Sequence, residues 1–212
     1  MNVYTTVVQF VLDILFAQSG DGKLVRDMQE DTLAQLINVR TLPFSDPPVV
    51  ALLPFRARSV KALIHEAKYH NNRRALLLLG SVLREYVAEL TTEESFGEVV
   101  AIPIPLAPKR YRERGYNQVE EILRYGIDEA EITLKENCLI RSRETASQTT
   151  LSKKERLRNM RDAFLVTKAL DPRKTYLLCD DVCTTGATLR AGIEALKKAG
   201  AQHILPIAIA YS

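Results

Sequence analysis

From residue 49 onward the chain alternates between two hydrophobic patterns. Short apolar runs rich in β-branched residues stand at 49–55 (VVALLPF), 98–106 (EVVAIPIPL), 163–167 (AFLVT), 174–182 (KTYLLCDDV) and 203–211 (HILPIAIAY), and each reads as a buried strand. A further strand is expected within 134–143 (LKENCLIRSR). Between the runs, apolar positions recur every three or four residues. The spacing predicts two helices over 58–90 broken near YHNN (69–72), one over 115–130 and one over 188–201 ending at Gly200. Residues 152–164 (SKKERLRNMRDAF) read as a polar helix or ordered loop, with Ser152 as N-cap and Glu155 completing a capping box.

Strands alternating with helices imply βαβ units, an α/β fold and a mostly parallel central sheet flanked by helices. In such sheets ligands bind at the carboxyl edge of the strands. Two promising segments leave strands there, AIPIPL and LLCDDVCTTGAT.

Residues 1–38 read as two helices separated by the turn SGDGK (19–23), and the Pro-rich TLPFSDPP (41–48) as a connector. This predicts a helical appendage with connector over 1–48 and the main domain over 49–212. Val7, Phe10, Val11, Ile14 and Leu15 form an apolar set suited to a core or an interface, which leaves a homo-oligomer open. Asp13 interrupts the first apolar stretch well short of a membrane span. A membrane-surface helix would want basic residues, and none precedes Lys23. The expected location is cytoplasmic.

Composition narrows the class only modestly. Hydrophobic residues make up 46% and charged residues 26%, with net charge +3, the profile of a soluble globular chain. A sequence pI near 8.7 does not by itself argue for nucleic acid. Three cysteines, Cys138, Cys179 and Cys183, form no CxxC pair. Cys179 reads as a buried apolar residue, and Cys183 as a loop residue open to solvent. His65, His70 and His203 show no HxxH or HExxH spacing, so neither a structural metal nor zinc is expected.

The chemistry concentrates at 180–188. Gly186 allows a tight turn into the following helix, whose first N–H groups and dipole favour an anion. Thr184, Thr185 and Thr188 add hydroxyl donors, and Val182, Cys183 and Ala187 complete the loop. The GxxxxGK[ST] pattern is absent, so this is no Walker loop. Asp180 and Asp181 would repel a bare phosphate, but carboxylates accept hydrogen bonds from sugar hydroxyls or hold Mg2+ that coordinates them. The stretch therefore reads as a site for a ribose 5-phosphate, with a solvated acidic turn as the plainer alternative.

LLCDDVCTTGATL (177–189) resembles the phosphoribosyl pyrophosphate motif of type I phosphoribosyltransferases. The wider chain, over about 50–212, is similar to the ComF family of competence-associated, phosphoribosyltransferase-like proteins. Three further stretches carry that likeness: VKALIHEAKYHNNRRAL (60–76), IPIPLAPKRYRERGYNQVEEI (102–122) and RSRETASQTTLSKKERLRNMRDAF (141–164). Family members often begin with a cysteine-rich zinc module, whereas residues 1–45 hold no cysteine.

The resemblance implies a type I phosphoribosyltransferase-like fold that binds phosphoribosyl pyrophosphate with Mg2+, the metal held through the ligand at Asp180 and Asp181. The chemistry implied is displacement at the anomeric carbon. It puts a pyrophosphate loop at 103–110, with Pro105, Lys109, Arg110 and Arg114 as candidate contacts. It also puts a hood loop at 141–161, with Arg143, Thr145 and Gln148 as candidates. The alternatives are a solvated basic turn for the first and a solvated or nucleic-acid-binding basic helix for the second. Asn117 also suits a helix cap, and Lys68 with Tyr69 suits either a reach into the site or, the preferred reading, a helix surface. The acceptor is not readable, so an accessory role in DNA uptake stands beside the enzyme, with a helicase-like partner implied and direct single-stranded DNA contact as a third reading.

Overall fold

The computed structural model describes residues 20–93, 96–128, 130–141 and 163–212. Among the described residues, six strands form one sheet: β1 (Arg40–Leu42), β2 (Val49–Pro54), β3 (Val99–Pro103), β4 (Ile132–Leu134), β7 (Thr175–Cys183) and β8 (His203–Tyr211). Their spatial order is β1-β2-β8-β7-β3-β4. Every pairing is parallel except β1 with β2. β5 (Leu139–Arg141) and β6 (Phe164–Val166) form a separate antiparallel ribbon.

β7 lies near the centre, paired with β3 on one side and β8 on the other. Its apolar run is nearly unbroken because parallel strands are buried on both faces. The helices are α1 (20–27), α2 (Glu30–Ala34), α3 (Arg58–Tyr69), α4 (Arg73–Glu93), α5 (Pro108–Arg114), α6 (Gln118–Gly126) and α7 (Ala187–Lys198). One core gathers Leu52, Leu63, Leu79, Leu83, Ile122, Leu177 and Cys179 between the sheet and α3, α4 and α6. The other gathers Leu178, Leu189, Ile193 and Leu196 with Leu139 and Phe164 of the ribbon. Helices thus flank the parallel sheet, as the alternating pattern predicts.

The structure departs from the sequence reading at four places. Residues 20–23 of the expected SGDGK turn are helical, because Val25 and Met28 just beyond them are buried in the larger core. Arg74 also donates to the Val25 carbonyl at 3.1 Å and to that of Met28. Such packing outweighs the roughly 1 kcal/mol that a helical glycine costs. The connector contributes to the edge strand β1 through Thr41 and Leu42. The strand expected over 134–143 is instead two, β4 and β5, separated by a turn, and they join different sheets. Residues 108–114 form α5, which exposes all its side chains at least in part and so lacks an apolar stripe. The capping box at Ser152 and Glu155 lies outside the described residues.

Candidate functional site

The register brings the two predicted segments side by side. Pro103 ends β3 opposite Cys179, and the Ile104 N–H continues the ladder to the Cys179 carbonyl at 2.8 Å. The 104–107 loop therefore begins beside Asp180. On the next turn of chain, Gly186 adopts φ +69° and caps α7 without a side-chain cap, and the Thr185 hydroxyl accepts from Ala187 N–H at 3.4 Å. Asp180, Val182, Cys183, Thr184, Thr185, Gly186, Ala187, Thr188 and Leu189 line one concavity of about 220 Å³ including its open mouth. A Cβ on Gly186 would lie 2.4 Å from Phe44 Cβ. Phe44 thus packs flush on the loop, and its segment is tied to α7 by Lys197, whose Nζ donates to the Asp46 carbonyl at 2.7 Å.

The two aspartates have different surroundings. Asp180 is half-buried and faces the concavity. Its carboxylate accepts from Asp181 N–H at 2.9 Å. Burial, then the neighbouring Asp181 charge, pushes Asp180 up to about 7. Asp181 is 8% exposed. Its Oδ2 meets Lys68 Nζ at 3.0 Å and accepts from Gln118 Nε2. Burial alone would raise Asp181, but Lys68 and the hydrogen bonds from Lys68 and Gln118 outweigh it and hold the carboxyl below its usual range. A low-dielectric site keeps one charge of such a pair and disfavours the second.

The RGYNQ turn braces this pair. Gly115 takes φ +78°, ending α5 and turning the chain back. Tyr116 OH donates to the Ala67 carbonyl and accepts from Asn71 N–H. Asn117 caps α6 through Val119 N–H at 3.1 Å while its Nδ2 donates to the Ile104 carbonyl at 3.0 Å. It therefore fixes the 104–107 loop as well as the helix. Arg114 lies over the Tyr69 ring, 4.9 Å from its centroid, and donates to Gln118 Oε1 at 2.7 Å.

The remaining predicted residues fall as follows. Pro105 is half-buried in the loop after β3, and Lys109 and Arg110 lie on α5. Arg143, Thr145 and Gln148 lie outside the described residues. Cys183 ends β7 rather than sitting in the loop and is 3% exposed, so the exposure the sequence left open is not found. Burial pushes it up to about 11. Lys68 is half-buried and reaches the acid pair, so it is an ion-pair partner rather than a plain surface lysine.

Three residues were not singled out as site contacts in the sequence reading. Gln118 is a 2%-exposed amide, and its signal was a polar residue beginning an otherwise apolar helical face. Lys68 stands four residues after buried Ile64, on the same helical stripe. Arg141 is depressed by burial and by the Arg110 charge but raised by Asp180, which sets Arg141 within electrostatic reach of both. Arg141 also pairs in register with Phe164.

These features define an α/β protein whose candidate site joins a strand-to-helix loop to a buried acid pair. Competence protein ComFC of Streptococcus pneumoniae is 34% identical over 125 residues, covering 58% of this chain and 54% of the relative. Competence protein F of Haemophilus influenzae is 33% identical over 148 residues, covering 67% and 63%. DNA utilization protein YhgH of Escherichia coli O157:H7 is 29% identical over 150 residues, covering 70% and 65%. The chain is similar to these competence and DNA utilization proteins, and it spans between half and two thirds of their length. No family model matches the chain. A distant likeness also exists to a hypoxanthine phosphoribosyltransferase structure from Staphylococcus aureus, with TM-score 0.37, 13% identity and 61% of each chain covered. Among the described residues, no helix is long and apolar enough to cross a membrane.

Proposed function

We propose that the chain has a type I phosphoribosyltransferase-like site and binds phosphoribosyl pyrophosphate or a related ribose 5-phosphate. The supporting observation is that Asp180 and the 182–189 loop line one concavity at the carboxyl end of β7. In this reading the 5′-phosphate sits against the N–H groups entering α7 and the threonine hydroxyls. The ribose hydroxyls meet Asp180. Asp181 is engaged with Lys68 and Gln118, so it acts from behind by setting the charge of its neighbour. Arg141 lies within electrostatic reach of both Asp180 and Arg110, and the two guanidinium groups suit the diphosphate. The carboxylate oxygens of Asp180 fit Mg2+ held through the ligand, and the ion would supply positive charge beside the diphosphate. If transfer occurs, the anomeric C–O bond to pyrophosphate breaks and a bond to an acceptor forms at the same carbon.

The names of the relatives favour a second reading, an accessory protein in DNA uptake that keeps the pocket and acts through partners in the cytoplasm. Isothermal titration with phosphoribosyl pyrophosphate and Mg2+ tests the site: saturable heat lost in D180N supports it, and no heat at millimolar ligand overturns it. Pyrophosphate release with a panel of nucleobases then separates enzyme from accessory protein. Single-stranded DNA binding that weakens steeply with salt would mark direct nucleic-acid contact.

A further inference from the structure

Outside the loop pocket, at the C-terminal end of α3, His65, Glu66 and His70 bring donor atoms within 4.8 Å of one another. Nothing in the proposed ligand chemistry uses them. Their setting is unusual for a plain helix surface. Glu66 is only 4% exposed, and Asn72 Nδ2 donates to its Oε2 at 2.8 Å. His65 Nδ1 is withdrawn from solvent with no hydrogen-bond partner, and Asp21 Oδ2 stands 3.5 Å from it. The His65 and His70 rings face each other edge-on with centroids 5.5 Å apart.

We propose that His65, Glu66 and His70 form a binding site for a divalent transition ion of the zinc class, with Asp21 orienting the His65 ring. Two imidazoles and one carboxylate are the donor set such ions take, whereas Mg2+ and Ca2+ prefer oxygen alone. A carboxylate beside the second nitrogen of a ligating histidine fixes its ring and raises its basicity. Bond lengths of about 2.0–2.1 Å require donors roughly 3.4 Å apart. His70 is exposed at the end of α3, so rotation of its side chain can close the remaining distance. A water completes the coordination. The ion would clamp the last turn of α3, which carries Lys68 and contacts the Tyr116 hydroxyl through Ala67 and Asn71. The site is independent of whatever occupies the 182–189 loop.

The test uses the full chain, stripped with chelator and titrated with Co2+ alone, then Zn2+. One Co2+ per chain with visible ligand-field bands, displaced by Zn2+, and a Zn2+-dependent rise in Tm are expected. H70Q changes an exposed side chain and keeps the fold by circular dichroism. It should weaken Co2+ at least tenfold and abolish the Tm rise, and H65Q should do the same. Absence of saturable Co2+ binding below millimolar concentration overturns the proposal. So does binding of equal strength in H70Q, which would place the ion elsewhere.

Discussion

Lys68 Nζ stands 3.0 Å from Asp181 Oδ2, and both side chains are largely withdrawn from solvent. The pair joins α3 to the end of β7 across more than a hundred residues of sequence. Removing the lysine strands a buried carboxylate that Gln118 alone cannot neutralise. K68M should destabilise the protein by about 2–3 kcal/mol, somewhat below the range for fully buried pairs. Urea denaturation measures this, and K68M in a D181N background should cost clearly less, since the stranded charge is then gone.

The aspartates should give stability opposite pH dependences. Asp181 lies below its ordinary 3.8, so its contribution is present above that value and lost as pH falls through its folded titration. Asp180 is raised to about 7. Between about pH 4 and 7 the folded state therefore binds more protons there than the unfolded state, and stability declines as pH rises. D180N should flatten that decline and gain stability relative to wild type near pH 7.5, on the order of 2 kcal/mol. Thermal melts across pH 4–8 check it, and an unchanged slope in D180N contradicts the assignment.

Gly186 combines φ +69° with the Phe44 side chain where a Cβ would go. G186A should cost about 2–4 kcal/mol, joining left-handed strain to overpacking. F44G, which removes the Phe44 Cβ as well as the ring, should lessen the further cost of G186A but leave the backbone strain of about 1–2 kcal/mol. A double-mutant cycle by urea denaturation separates the two; strict additivity would mean that Phe44 is not the obstacle.

Asn117 has two jobs that one substitution can separate. N117A removes both the α6 cap and the bond to Ile104, costing about 1–2 kcal/mol for the cap. N117D keeps an acceptor for Val119 N–H but loses the donor to the Ile104 carbonyl. N117D should therefore loosen 104–107 and, because it sets a buried carboxylate oxygen against the Ile104 carbonyl, cost more than the lost hydrogen bond alone. Hydrogen exchange at Ile104 and Ala107 would report the loss.

Cys138, Cys179 and Cys183 are all buried, and burial raises each thiol. A thiol reagent at pH 7.5 should label none rapidly in the native protein and all three after denaturation. Fast labelling of Cys183 would mean that the end of β7 is open.

The sequence alone determined the strands β2, β3, β7 and β8 and the helices α3, α4, α6 and α7. Burial on both faces makes parallel strands nearly continuous apolar runs, and one-sided burial imposes the helical period. It also marked Gly186 as the bend before α7 and Asn117 as a candidate cap, because both roles depend on local backbone chemistry. α5 lacked an apolar stripe and was hidden, although Pro108 at its start and Gly115 at its end were signals. Only the tertiary structure decided that Asp180 faces the loop pocket while Asp181 turns to Lys68 and Gln118. That division depends on which elements pack behind β7, and adjacent residues of one strand carry no local record of distant partners. The meeting of Arg141 with Asp180 and Arg110, and of Phe44 with Gly186, was decided in the same way, by strand order and crossover rather than by spacing along the chain.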